Sequence, residues 1–358
     1  MTVRVGIVGS GFAASLHAQG LRQAPGAKVV AAASPNAEHA WVFARSFGIS
    51  HTFVDYKDML RGDLVDAITV ACPNDLHYEV TQAAAAAGKH VLVNKPMALN
   101  LSQCDSMIRA CREAGVILMY GENLCFAPKY VRAKQLADEG ALGDVYYVRH
   151  LESHEGPHSD WIWDVERSGG GVLMDLGCHS IAYCRWVFGD AKVESVSAEL
   201  GRFVHGKRTK GDDHSLVTMR FAGGGIGVAE NSWARAGGPD DRAEIYGSKG
   251  LTVADLARGS ALSTYSEPGY GYAIEQGLGT KGWTWTALEE AWSDGYVQEM
   301  AHFVECVQDG GQPALGGEDG RAVLEIICAA YKSAGTGQRE RLPFQTEARR
   351  PIDLWLGK

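Results

Sequence analysis

The stretch "GIVGSGFAA", Gly6–Ala14, decides the fold. An apolar run, Val3–Val8, leads straight into Gly9-Ser10-Gly11, and a helical pattern follows. Gly9, Gly11 and the small Ala14 let a backbone turn come close to a pyrophosphate. The helix start beyond the turn, with Phe12 and Ala13 in its first residues, points N–H groups and a positive dipole end at that anion. A glycine turn without a ligand is the competing reading. The strand–turn–helix context favours the nucleotide.

The pattern repeats outward from that point. Apolar strands at Val29–Ala33, Val65–Ala71, His90–Asn94 and Val116–Tyr120 alternate with helical runs at Glu38–Phe47, from Asn74, and at Ser102–Ala114. Gly48, Gly88 and Gly115 close those helices. Strands that are apolar on both faces, separated by helices, form a doubly wound parallel sheet. From Asn123 the texture changes. Longer β-type runs (Val145–Glu152, Val193–Val204, Ser215–Phe221, Gly227–Trp233, Arg242–Gly247, Leu251–Asp255) are interrupted by helical signals at Pro128–Glu139 and Val172–Val187. Helices at Val297–Gln308 and Gly320–Ala334 follow, and residues 256–295 have the texture of a loop. The expected fold is α/β. Residues 1–122 form the nucleotide-binding domain, and residues 123–358 an α+β domain with a large, mostly antiparallel open sheet.

With 358 residues, 46% hydrophobic and 22% charged, the composition is that of an ordinary globular chain. A net charge of −9 argues against nucleic acid as a partner. No apolar run approaches the roughly 20 residues of a membrane span. The first strand begins almost at Met1, which leaves no room for a signal peptide. The eight cysteines lack any CxxC pair and read as buried thiols of a cytoplasmic protein.

Several strand ends carry polar residues where such sheets hold ligands. After the second strand comes Ser34-Pro35-Asn36, where an acid commonly grips the adenosine ribose. Ser34 and Asn36 can serve that ribose while neutral. No Lys or Arg follows before Arg45, so NAD is favoured over NADP. "ACPNDLH", Ala71–His77, places Pro73 and Asn74 in a turn fit for the second ribose, with helix capping as the plain alternative for Asn74. "VNKPM" ends a strand on Lys95, which Pro96 restricts towards extended geometry.

In the second half, "GGGVLMDLGCHSIAYCRW" puts Asp175 and His179 four residues apart on one helix face. The run Gly169–Gly171 offers close backbone approach to a ligand. "RHLESHEGPHSDWIWDVERSGGG" crowds His154, His158, Trp161, Trp163, Asp164 and Arg167 into one segment. No ordered Cys/His set accompanies it, so a metal is not expected. Aromatic faces among polar side chains suit a sugar.

Together these motifs resemble the Gfo/Idh/MocA oxidoreductases. The GxGxxA, the "PNxxH" at Pro73–His77, the "KP" at Lys95-Pro96 and the "GGGxxxDxGxH" at Gly169–His179 occur in that family's order. The resemblance implies an N-terminal Rossmann domain and a C-terminal sheet that often makes dimer or tetramer contacts. It implies a nicotinamide enzyme acting on a hydroxyl of a sugar, inositol or related compound. Lys95, Asp175 and His179 then match the catalytic set. Pro73, Asn74, His77, Asn94, Lys95 and Asn123 join the cofactor site, and Asn123 also faces substrate. One departure stands out: the family's Glu-Lys-Pro is Asn94-Lys95-Pro96 here. Two alternatives share the motifs: a redox-neutral NAD-dependent glycosidase, and a non-catalytic nucleotide sensor.

Overall fold

The computed structural model describes residues 2–189, 191–257, 262–266, 282–286 and 290–357. The chain divides into two compact units, Met1–Phe126 with Gly295–Leu324, and Ala127–Asp294 with Glu325–Lys358.

The first unit alternates β1 (Val3–Val8), α1 (Phe12–Gln23), β2 (Ala27–Ala33), α2 (Ala37–Phe47), β3 (His51–Phe53), α3 (Tyr56–Leu60), β4 (Ala67–Val70), α4 (Asn74–Ala86), β5 (His90–Asn94), α5 (Leu101–Ala114) and β6 (Leu118–Gly121). Its six strands are all parallel in the order β3-β2-β1-β4-β5-β6. The order reverses between β1 and β4, the point where ligands settle in sheets of this topology. Val5, Ile7, Ala67, Ile68 and Val91–Val93 are fully buried because helices cover both faces. The helix Tyr296–Asp309 returns to this unit and packs Met300, Phe303 and Val304 against Ala14, Ala18 and Leu21. Gly20 is required there: a Cβ on it would lie 2.6 Å from the Tyr296 carbonyl oxygen.

The second unit contains α6 (Pro128–Asp138), β7 (Val145–Ser153), α7 (Val165–Ser168), α8 (Val172–Asp175), α9 (Gly177–Phe188), β8 (Val193–Gly201), β9 (His214–Phe221), β10 (Ile226–Ser232), β11 (Asp240–Gly247) and β12 (Gly250–Asp255). With the two-residue strand Glu340–Arg341 these form a seven-stranded sheet, ordered β12-β11-β7-β10-β9-β8 and then Glu340–Arg341. All its pairs are antiparallel except β7 with β10. β9 alternates strictly: Ser215, Val217, Met219 and Phe221 are buried, while Leu216, Thr218 and Arg220 are exposed. α9 covers the buried face, and a Cβ on Gly227 would lie 2.9 Å from the Phe221 ring.

Two expectations change. The helix expected over Val172–Val187 is two helices meeting at Leu176. The stretch 256–295, expected as loop, includes an antiparallel pair, β13 (Leu262–Ser266) and β14 (Gly282–Thr286), and a short helix, Glu290–Ser293. The remainder of that expectation, residues 258–261, 267–281 and 287–289, lies outside the described residues. No described helix is long and apolar enough to cross a membrane.

Candidate active site

In the first unit, five segments leave the carboxyl ends of parallel strands, and each carries residues singled out by sequence. After β1, Gly9 adopts φ +128°, and a Cβ there would lie 2.3 Å from the Ala71 carbonyl oxygen. Its amide donates to Ala33 O at 2.9 Å. Gly11 occupies the N-cap of α1, and no side chain caps the helix. A Cβ on Gly11 would meet nothing within 4 Å. The first glycine is therefore demanded by the protein itself, and the second borders open space at a positive helix end. After β2, the Ser34 hydroxyl pairs with that of Ser10 at 3.0 Å, which joins the end of β2 to the glycine turn. Asn36 spends its side-chain oxygen capping α2, accepting from the amides of Glu38 and His39.

After β4, Pro73 holds the N-cap position of α4, and Asn74 is the first helical residue. His77 is buried rather than facing a cofactor. Its Nδ1 lies 2.9 Å from Pro96 O and its Nε2 2.9 Å from Cys72 O, so the side chain is engaged inside the protein. After β5, Asn94 pairs in register with Gly121 of β6, and the Lys95 amide donates to Gly121 O at 3.1 Å. Lys95 is half-buried, and the Lys95-Pro96 bond is cis. After β6, the buried Glu122 and Asn123 enter a short 3-10 turn.

In the second unit, Asp175 ends α8 and His179 lies in the first turn of α9. Both are buried, at 9% and 6% exposure. The Trp233 indole N–H donates to Asp175 Oδ2 at 3.2 Å. Behind His179, the His150 ring is fully buried; burial, with the neighbouring His179, pushes its pKa down to about 3. His150 Nδ1 pairs with the Ser180 hydroxyl at 2.8 Å, and Asn231 Nδ2 donates to the same oxygen at 2.7 Å. The Gly169–Gly171 run approaches protein rather than ligand. A Cβ on Gly170 would lie 2.3 Å from the Tyr331 hydroxyl, and one on Gly171 2.0 Å from Asp212 O. The Asp212 carboxylate accepts from the amides of Gly171 and Leu173 and from the Tyr331 hydroxyl, which fixes the start of α8.

The aromatic segment divides. His154 is buried and its ring packs on His158 with centroids 4.9 Å apart. Trp161 is half-buried under the Arg167 guanidinium. Trp163 is 9% exposed and packs against Trp233, His205 and Arg208. Asp164 caps α7 through the Glu166 amide. No group of three or more His, Cys, Asp or Glu among the described residues could hold a metal ion. Sequence reasoning missed Trp233 and Asp212, for neither stands at a spacing that ties it to the motif it supports.

The first unit matches the Gfo/Idh/MocA oxidoreductase model with an NAD-binding Rossmann fold over residues 3–122, and residues 130–253 match that family's C-terminal domain. The chain belongs to the Gfo/Idh/MocA oxidoreductases. It is 30% identical to a myo-inositol 2-dehydrogenase of Thermotoga maritima, over 92% of this chain and 96% of that one. It is 29% identical to the NAD-dependent scyllo-inositol 2-dehydrogenase of Bacillus subtilis, over 97% of both. Among solved structures, GenD2 from gentamicin A biosynthesis, in complex with NAD, is 32% identical with a TM-score of 0.90, covering 96% of this chain and 97% of that one. The protein is an NAD-dependent oxidoreductase. Two features of the glycine turn are local and physical: Gly11 borders open space, and Ser10 pairs with Ser34.

Proposed function

We propose that this oxidoreductase acts on a secondary hydroxyl of a sugar, inositol or sugar derivative, with Lys95, Asp175 and His179 as its catalytic set. The observation that carries the reading is that Asp175 and His179 are both buried, on consecutive helices that meet at Leu176. Trp233 fixes the Asp175 carboxylate, and Asp212 fixes the start of α8 through the amides of Gly171 and Leu173. Residues 1–122 hold the cofactor and residues 123–358 the substrate. Gly9, Gly11, Phe12 and Ala13 take the pyrophosphate, and Ser34 with Asn36 the adenosine ribose. Pro73, Asn74, Asn94, Lys95 and Asn123 serve the nicotinamide end.

When bound, NAD supplies the hydride acceptor. His179 takes the proton from the substrate hydroxyl, a task suited to an imidazole near neutrality. The Lys95 ammonium stabilises the oxygen as negative charge develops on it. Asp175 orients His179 or bonds a neighbouring hydroxyl. His154, His158, Trp161, Trp163, Asp164 and Arg167 set specificity, the inner ones through packing. Asn123 reads the substrate from the cofactor side. Asn94 gives the nicotinamide ribose an amide where relatives offer a carboxylate, one negative charge fewer. The enzyme works in the cytoplasm as a homodimer or homotetramer; eight free thiols fit a reducing compartment.

The test is a panel of sugars, inositols and aryl glycosides with NAD and NADP in parallel, following NADH and aglycone release. NADH formation from a free polyol or sugar is expected. Aglycone release without NADH would replace this reading with the glycosidase. On the best substrate, Lys95→Ala and His179→Ala should each lose about 10²- to 10⁴-fold in kcat while NAD still binds. Near wild-type turnover in both variants would refute the catalytic set.

A further inference from the structure

We propose that His77 is a positioning residue for Lys95, holding the lysine's backbone in register with the cofactor turn. The inference rests on the catalytic role assigned to Lys95 above. β4 and β5 are parallel neighbours, and their carboxyl ends run into two separate loops, Ala71–Pro73 and Lys95-Pro96. Two adjacent loops without a backbone ladder between them drift independently. His77, in the first turn of α4, spans both. One ring nitrogen lies 2.9 Å from Pro96 O and the other 2.9 Å from Cys72 O. The ring is 0% exposed, so water does not reach it.

The clamp acts on the lysine from one side while β6 acts from the other. The Lys95 amide donates to Gly121 O at 3.1 Å, and the next carbonyl along, that of Pro96, belongs to His77. Met97 and Ala98, which follow, are fully buried. The far end of the clamp reaches the cofactor turn. Cys72 follows Ala71, whose carbonyl oxygen is the atom that forbids a side chain at Gly9. One imidazole thus links the lysine loop to the backing of the pyrophosphate turn.

Burial pushes the His77 pKa down, against the Pro96 and Cys72 carbonyls and the Asp75 carboxylate, which favour the charged ring. A second imidazole, His17, is also fully buried and interacts electrostatically with it. A neutral ring carries one N–H, which donates to one of the two carbonyls according to tautomer. The N–H holds one carbonyl, and the other ring nitrogen only packs against the second.

Two substitutions separate positioning from bulk support. His77→Phe fills the cavity and removes both polar contacts. His77→Gln keeps an amide donor of similar reach. Each is compared with Lys95→Ala for kcat, substrate KM, NAD Kd and the primary deuterium isotope effect on kcat, using the sugar or polyol that gives the fastest NADH formation. His77→Phe should lower kcat about tenfold to a hundredfold and raise the isotope effect, with NAD Kd within about threefold. His77→Gln should recover most of that loss. Wild-type kcat and isotope effect in His77→Phe, beside an inactive Lys95→Ala, would overturn this inference and leave the catalytic reading standing. Full activity in Lys95→Ala would overturn both. Parallel loss of NAD binding and turnover, without recovery in His77→Gln, would reduce His77 to a structural residue. If His77→Phe does not fold, His77→Leu takes its place: a kcat loss with a raised isotope effect, recovered in His77→Gln, supports the clamp, and wild-type kcat and isotope effect in His77→Leu rule it out.

Discussion

Asp175 was visible in the sequence through its four-residue spacing to His179, and Trp233 was not. The two meet across 58 positions, and a tryptophan at a strand end carries no signal that it will donate to a particular carboxylate. The bond matters because a buried carboxylate without its donor is both costly and free to turn. Trp233→Phe keeps an aromatic ring, smaller than the indole, and removes the N–H. It should lower kcat about tenfold, since a hydrogen bond to a charged group is worth about 1.5–3 kcal/mol. Steady-state kinetics on the folded variant check this, and an unchanged kcat would show that Asp175 is oriented by something else. His17 is a contrasting single residue. It is fully buried, both ring nitrogens have no hydrogen-bond partner among the described residues, and burial, then His77, pushes its pKa down to about 3. The unfolded chain protonates this ring near its ordinary pKa of about 6.5, and the folded chain refuses the proton. Its contribution is therefore full above that pH and is lost as pH falls towards about 3, at roughly 1.4 kcal/mol per pH unit. His17→Leu should raise the melting temperature, and its advantage over wild type should grow from pH 7 to pH 5. An advantage that shrinks on acidification would contradict the sign.

At the scale of elements, strands and helices with a clear period were legible, and short polar ones were not. β3 and α3 went unread because His51–Leu60 shows neither alternation nor a helical stripe. The glycine motifs were legible as positions, yet their reasons differ. The Gly169–Gly171 run reads as room for a ligand; the room is taken by Asp212 and Tyr331, at separations of 41 and 160 residues from Gly171 that local sequence cannot convey. Gly11, in contrast, faces open space. Two alanine substitutions should therefore diverge. Gly171→Ala drives a Cβ to 2.0 Å from a backbone oxygen and should cost at least about 2–3 kcal/mol in denaturant unfolding. Gly11→Ala should leave unfolding within about 0.5 kcal/mol while raising the NAD Kd at least about tenfold, because the methyl enters the pyrophosphate space. Equal destabilisation by the two, or unimpaired NAD binding in Gly11→Ala, would remove the distinction.

For the whole molecule, the doubly wound sheet followed from its strand–helix alternation, and the open second sheet from period-two runs. The return of Tyr296–Asp309 to the first unit did not, because its partners on α1 lie hundreds of positions earlier and a helix stripe does not name what covers it. The parallel pairing of β7 with β10 was equally silent, since alternation reads the same in either direction. The sheet face opposite α9 carries the strongest whole-molecule consequence. Register places Leu251 and Val253 of β12, Tyr246 of β11, Tyr147 of β7, Val228 of β10 and Leu216 of β9 on that one face. Leu251 is 58% exposed and Val253 53%. At its centre Arg149 pairs with Glu230 at 2.6 Å and with Glu244 at 3.7 Å, one cation between two carboxylates. An exposed sheet face with apolar side chains around a paired cation suits a twofold contact. A second copy of the chain is the proposed occupant. Val228→Glu with Val253→Glu puts carboxylates into such a contact, at one half-buried and one exposed position. Light scattering behind size exclusion should give a dimer or tetramer for the wild type and a smaller species for the double variant, with NAD binding intact. A monomeric wild type, or a variant of unchanged mass, would refute assembly through this face.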